Sequence, residues 1–135
     1  MRRRCKTVKS DVWKRPPAEW ASLCCDGSFV QETQEAGVGM IMRDEQGQIV
    51  FSACRSLGTC SDPLEAELTA CMEGFALALE RTTIPVIIQM DCSRALALIS
   101  SNEEDRSPYM FLFQEIKRLL EDRRVFKFVK ISRYN

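Results

Sequence analysis

The chain contains no histidine in its 135 residues. That removes the commonest general base and any Ser–His or Cys–His nucleophilic pair. Cys5, Cys24, Cys25, Cys54, Cys60, Cys71 and Cys92 include no C-x-x-C pair. Without histidine to complete a ligand set, no zinc is expected. The cysteines read instead as reduced, mostly buried small hydrophobes of an intracellular protein. No apolar run approaches the length that crosses a bilayer, so no membrane partner is expected. Net charge is missing too, because 19 basic residues cancel 19 acidic ones. Any contact with a polyanion therefore needs a local patch. Chemistry in this chain has to come from carboxylates, with metal as the natural helper.

What is present fits one domain that buries roughly two-thirds of its unfolded surface. Residues 1–12, with Arg2-Arg3-Arg4 and no apolar core of a signal peptide, read as a basic, solvated, disordered tail. Residues 13–135 read as a single domain. Trp13-Lys14-Arg15-Pro16-Pro17 is an extended lead-in, because each proline holds its predecessor out of the helical region. A first strand is expected over 21–29, a second over 37–43 and a third over 49–55. Asp44-Glu45-Gln46-Gly47-Gln48 is the hairpin turn between the last two, with Gly47 supplying a positive φ. Ser61-Asp62-Pro63 opens a helix, with Asp62 as N-cap and Pro63 at its first position. Leu64, Leu68, Cys71, Met72, Phe75 and Leu79 recur at helical spacing toward the sheet. A buried strand over 85–90, a short helix over 93–100 with Leu96 and Ile99 inward, and an acidic loop over 102–107 follow. A helix over 108–120 has Phe111, Leu112, Ile116, Leu119 and Leu120 as its apolar face. The last strand, over 125–131, alternates and has one wet side.

Two of these strands share a design. Leu23-Cys24-Cys25-Asp26 and Pro85-Val86-Ile87-Ile88-Gln89-Met90-Asp91 each climb through apolar residues to one aspartate. Short continuous apolar runs mark strands buried on both faces, and ligands of open α/β sheets sit beyond the carboxyl ends of parallel strands. If the two are parallel neighbours, Asp26 and Asp91 converge, and like charges so close call for a cation between them. The helix between them offers Glu65, Glu67, Glu73 and Glu80. Glu73 and Glu80 point away from the apolar stripe toward solvent, whereas Glu65 and Glu67 flank it on either side. Helical geometry alone leaves both open as a third carboxylate.

The ordered set Asp26-Gly27-Ser28, Leu64-Glu65-Ala66-Glu67-Leu68 opening a helix, and Ile87-Ile88-Gln89-Met90-Asp91 resembles the ribonuclease H type 1 domain. More narrowly it resembles the short plant-type domains related to retrotransposon reverse transcriptases, which share a Trp-x-x-Pro-Pro lead-in. Asp-Gly-Ser alone carries little; the spacing of the whole set, across residues 13–135, carries the resemblance. It implies an α/β RNase H-like three-layer fold: a five-stranded mixed sheet of order 3-2-1-4-5 with helices on both faces. It also implies metal-binding carboxylates at Asp26, Glu67 and Asp91, choosing Glu67 over Glu65. Integrase-type relatives place their Glu last, and proofreading exonucleases carry Asp-x-Glu where this chain has Ser28. Two departures stand out. Cys24 and Cys25 replace the usual β-branched residues or Asn, and the closing C-terminal helix with the fourth carboxylate is absent after Arg133-Tyr134-Asn135.

The resemblance implies Mg²⁺-dependent hydrolysis of the RNA strand of RNA–DNA hybrids, with Mn²⁺ as an alternative ion. Hard cations suit oxygen donors, and two ions about 3.5–4 Å apart can activate water and stabilise the departing oxygen without histidine. Asp26 is expected to bridge the ions, Asp91 to serve the water-activating one and Glu67 the leaving-group side. Gly27 and Ser28 are expected to let the substrate strand approach and to sense its 2′-hydroxyls. Lys117, Arg118, Arg123, Arg124, Lys127, Lys130 and Arg133 form the densest basic region, and weak, salt-sensitive hybrid binding is expected. The alternative is a binding module that keeps the fold and has lost turnover along with the last helix. A monomer is expected, in cytoplasm or nucleus, with organellar targeting left open.

Overall fold

The computed structural model describes residues 17–90, 93–100, 109–121 and 126–130. The tail, most of the Trp13 lead-in, the acidic loop, Asp91 and the Arg133 segment lie outside these residues. In chain order the elements are β1 (Ala21–Phe29), β2 (Glu35–Arg43), β3 (Ile49–Thr59), α1 (Pro63–Arg81), β4 (Val86–Met90), α2 (Ser93–Ser100), α3 (Met110–Leu120) and β5 (Phe126–Lys130). The five strands form one sheet in the order β3-β2-β1-β4-β5. β1–β2 and β2–β3 pair antiparallel, while β1–β4 and β4–β5 pair parallel. The mixed sheet and its strand order are those expected.

Local chemistry explains the boundaries. Asp44 Oδ1 accepts the amides of Gln46 and Gln48, both at 2.9 Å, and closes the β2–β3 turn. Gly47 in this turn has φ 85°, which a side chain would resist. Asp62 caps α1 in an extended conformation, its carboxylate accepting the Glu65 amide, and Pro63 follows where no amide donor is required. β3 runs on to Thr59, four residues past its expected end, because its pairing with β2 resumes beyond an irregularity at Ala36/Gly37.

The core lies between α1 and one face of the sheet. Ala21, Leu23 and Cys25 of β1, Val38, Met40 and Met42 of β2, and Val86, Ile88 and Met90 of β4 alternate onto that face. They meet Leu64, Leu68, Cys71, Phe75 and Ala78 of α1. Each large side chain so enclosed contributes roughly 1.5–3 kcal/mol. Gly74 lets α1 settle onto β1: a Cβ there would lie 2.7 Å from Cys25 Sγ. Ala95 and Ile99 of α2 and Phe113, Ile116 and Leu119 of α3 join the same cluster. All three described helices thus share one side of the sheet, and a helix on the other side is not among the described residues.

Two expectations need correction. Phe111 is 78% exposed, not inward. The buried stripe of α3 is Phe113, Ile116 and Leu119, and a residue two positions before Phe113 lies about 200° around the axis from it. Glu73 is not merely solvated: its carboxylate pairs with the Arg55 guanidinium of β3, with Nε 3.2 Å from Oε1. The pair is exposed and adds little stability.

Candidate active site

Asp26 is 4% exposed, an unusual degree of burial for a carboxylate. Leu23 and Cys25 point toward α1, so alternation along β1 turns Asp26 to the opposite face of the sheet. Gly27, the next residue facing α1, is where strand and helix touch. A Cβ built there would stand 2.6 Å from Ala66 C and 2.6 Å from Glu67 N, both backbone atoms. The absence of a side chain at Gly27 admits α1, because the space a side chain would fill is occupied by the helix backbone. Ser28 is exposed, and its Oγ lies 3.2 Å from the Cβ position of Gly37 across the β1–β2 ladder.

This contact brings Glu67 to the strand. Its Oε1 accepts the Gly27 amide at 3.1 Å, and Oε2 is buried from solvent. The Gly27 nitrogen belongs to the peptide unit that joins Asp26 to Gly27. The amide that Glu67 engages is therefore the one directly after Asp26 in the chain. Glu65, the other candidate on α1, is turned back to the helix start, where Oε1 accepts the Ser61 amide at 2.8 Å. Together with Asp62 Oδ1 on the Glu65 amide at 3.0 Å, this makes a reciprocal cap.

The third expected carboxylate lies outside the described residues. The parallel register places Ala21 opposite Val86 and Cys24 opposite Gln89, with Cys24 Sγ donating to Gln89 Oε1 at 3.2 Å. Two residues farther along in sequence, the strands carry Asp26 and Asp91. Among the described residues, no three His, Cys, Asp or Glu side chains group closely enough to hold a metal ion. The two carboxylates that are described offer only oxygen, the donor set a hard divalent cation prefers.

A second polar cluster stands at the start of α1 around the expected N-cap Asp62, and nothing in the sequence marks Tyr109 as its other member. The Tyr109 hydroxyl, just ahead of α3, donates to Asp62 Oδ2. Burial pushes the Asp62 carboxyl up, but the Tyr109 hydroxyl, the Glu65 and Leu64 amides and the charge of Arg94 outweigh it. The net effect holds Asp62 below its ordinary range. The same hydrogen bond to Asp62, with burial and the nearby negative charge, raises the Tyr109 phenol. Cys60 is buried, and its thiol is raised by burial and by the charges of Glu65 and Asp62, so it stays protonated and inert. Of the five described cysteines, only Cys54 is exposed.

The expected basic region is partly engaged in local contacts. Arg118 pairs with Glu115, its Nε 3.0 Å from Oε1, and Lys117 stands 4.7 Å over the Phe113 ring. Arg123, Arg124 and Arg133 lie outside the described residues. The side chains of Lys127 and Lys130 are likewise not described.

Comparison with known proteins defines the class. The fold is that of RNase H1 from the halophilic archaeon Halobacterium salinarum NRC-1, with a TM-score of 0.76, 16% identity, and coverage of 84% of this chain and 86% of that one. The N-terminal RNase H domain of a Mycobacterium tuberculosis protein, solved as a fusion with maltose-binding protein, gives a TM-score of 0.77 at 15% identity, covering 86% and 84%. LC11-RNase H1 in complex with an RNA/DNA hybrid gives 0.71 at 18% identity, covering 84% and 86%. A comparison with curated proteins finds no match. The model of the reverse transcriptase-like family matches residues 24–135, and the chain belongs to that family.

Proposed function

We propose that the chain is a metal-dependent ribonuclease that hydrolyses the RNA strand of RNA–DNA hybrids. The observation that carries this reading is the seating of Glu67 on the amide that follows buried Asp26. A structural relative, LC11-RNase H1, has been solved on an RNA/DNA hybrid, and that supports the substrate class. Asp26, Glu67 and, by its place in the strand, Asp91 would hold Mg²⁺, with Mn²⁺ as a substitute. When bound, the metal would supply Lewis-acid activation of water and neutralise charge on the departing oxygen. Asp26 offers a carboxylate whose strand is fixed by neighbours on both sides. Glu67 offers one whose orientation is set by the Gly27 amide. The exposed Ser28 hydroxyl on the same strand can exchange hydrogen bonds with a 2′-hydroxyl, the group that separates RNA from DNA.

The test is cleavage of an end-labelled RNA–DNA hybrid in Mg²⁺ by the full chain and by Asp26→Asn, Glu67→Gln and Asp91→Asn, with hybrid binding followed in parallel. RNA-strand cleavage that each substitution removes, with binding retained, is the expected result. Wild-type binding without cleavage would mark a nucleic-acid-binding module, and undiminished cleavage by Asp26→Asn would remove the assigned site.

A further inference from the structure

The first turn of an α-helix leaves backbone amides without partners inside the helix, so it frays unless a side chain caps it. In α1 that cap is the Asp62 carboxylate, which faces the Glu65 and Leu64 amides. Glu67 is only two residues past Glu65, so its place depends on whether this turn stays wound. Farther along, the helix body is pinned where Gly74 meets Cys25 and Leu23. The cap therefore governs the residual freedom of the segment that carries Glu67.

Asp62 does not hold its own orientation unaided. Oδ1 accepts the Glu65 amide, while Oδ2 accepts the Tyr109 hydroxyl from 47 residues away in sequence. With both oxygens engaged, the carboxylate is set on both sides. We infer that Tyr109 is a positioning residue for the Glu67 carboxylate, acting through the Asp62 cap of α1. A chain of contacts runs from the Tyr109 hydroxyl to Asp62, through the capped turn to the Ala66–Glu67 backbone against Gly27, and ends at the Glu67 carboxylate on the Gly27 amide. Its functional meaning rests on the proposed metal-binding role of Glu67; its geometric content does not.

The experiment uses the full chain in two arms. In the first, without metal, the ¹H–¹⁵N shift of the Gly27 amide reports the bond to Glu67. Glu67→Gln supplies the reference for a weakened bond, and the Gly47 amide, which bonds the Asp44 carbonyl, is a remote control. Tyr109→Phe removes only the hydroxyl. Asp62→Ser keeps a capping oxygen but has no second one for Tyr109. Both variants are expected to move the Gly27 amide toward its Glu67→Gln position and leave Gly47 in place. Their combination is expected to move it no farther than either alone, because both cut the same link.

In the second arm, Mn²⁺ binding is measured by calorimetry. Tyr109→Phe is expected to bind Mn²⁺ about threefold to tenfold more weakly, in keeping with loss of one outer contact behind a ligand. A Gly27 amide unmoved by Tyr109→Phe, even with a lowered unfolding midpoint, overturns the inference and leaves Tyr109 a stability role alone. A Gly27 amide unmoved by Glu67→Gln overturns it at its last link. If Mn²⁺ binds the wild type and Glu67→Gln alike while Gly27 still responds to Tyr109→Phe, the positioning holds and the metal-ligand reading of Glu67 fails.

Discussion

The amide of Gly27 and the carboxylate of Glu67, 40 residues apart in sequence, meet at 3.1 Å where α1 crosses the end of β1. Strand and helix touch there backbone to backbone, and the peptide that carries the amide also carries Asp26. The missing side chain at position 27 is therefore what sets the spacing of the candidate site.

Gly27→Ala is expected to be costly. Its Cβ would meet the Ala66 and Glu67 backbone at 2.6 Å, and backbone cannot swing aside as a side-chain tip can. A destabilisation of roughly 1–3 kcal/mol is expected, with loss of the Glu67 contact. Denaturant unfolding of the variant checks it, and wild-type stability would contradict the close approach.

Gly74→Ala tests the other point at which α1 meets β1. Here the obstacle is the Cys25 side chain, 2.7 Å from the added Cβ, with Leu23 Cδ2 at 3.3 Å. The single substitution is expected to cost roughly 1–3 kcal/mol. Adding Cys25→Ala should recover part of that loss, since the new methyl group enters the space the thiol leaves. A double-mutant cycle by guanidinium unfolding measures the coupling, and additive losses would contradict it.

The parts of this structure that were legible in the sequence are those fixed by short-range chemistry. Ser61-Asp62-Pro63 marked the start of α1 because cap and helix lie within one turn, and Gly47 marked the hairpin because its φ is a local demand. The sheet order was implied by the family resemblance, whereas the matching designs of β1 and β4 by themselves suggested only that these two strands are neighbours. The choice between Glu65 and Glu67 was not legible from helical periodicity, which put both on the edge of the stripe. Contacts settle where each points: Glu65 to Ser61 four residues back, Glu67 to Gly27 across the fold. Tyr109 gave no signal because its partner is remote. Phe111 looked inward because a short apolar cluster at a helix start fits more than one stripe.

The Asp62–Tyr109 bond should give stability two pH edges of opposite sign. The Asp62 pKa is lowered from its ordinary 3.8, so its contribution is complete above that value. It is lost as pH falls through the lower folded value. The Tyr109 pKa is raised from 10.0, so its contribution is complete below that and is lost as pH rises through the folded value. Guanidinium midpoints across the pH range should show both losses, and Tyr109→Phe should flatten the alkaline edge and soften the acid one. Identical profiles for the two proteins would contradict the bond.

If Asp26 and Glu67 hold a divalent cation, binding must stabilise the folded chain by mass action. Mn²⁺ at ten times its dissociation constant is expected to add about 1.4 kcal/mol. Asp26→Asn and Glu67→Gln should gain less than the wild type in the same thermal unfolding experiment. Equal gains in all three proteins would place the ion elsewhere.

The outer margin of the sheet has a practical consequence. β3 ends the strand order, and of its 11 residues the single charged one, Arg55, is already tied to Glu73. Ile49 and Val50, at its beginning, are 55% and 39% exposed. A border of this kind has little charge with which to repel a foreign strand, so crowded solutions would favour ladder growth from molecule to molecule. A lysine in place of Val50 should keep concentrated preparations dispersed without disturbing the opposite end of the chain's chemistry.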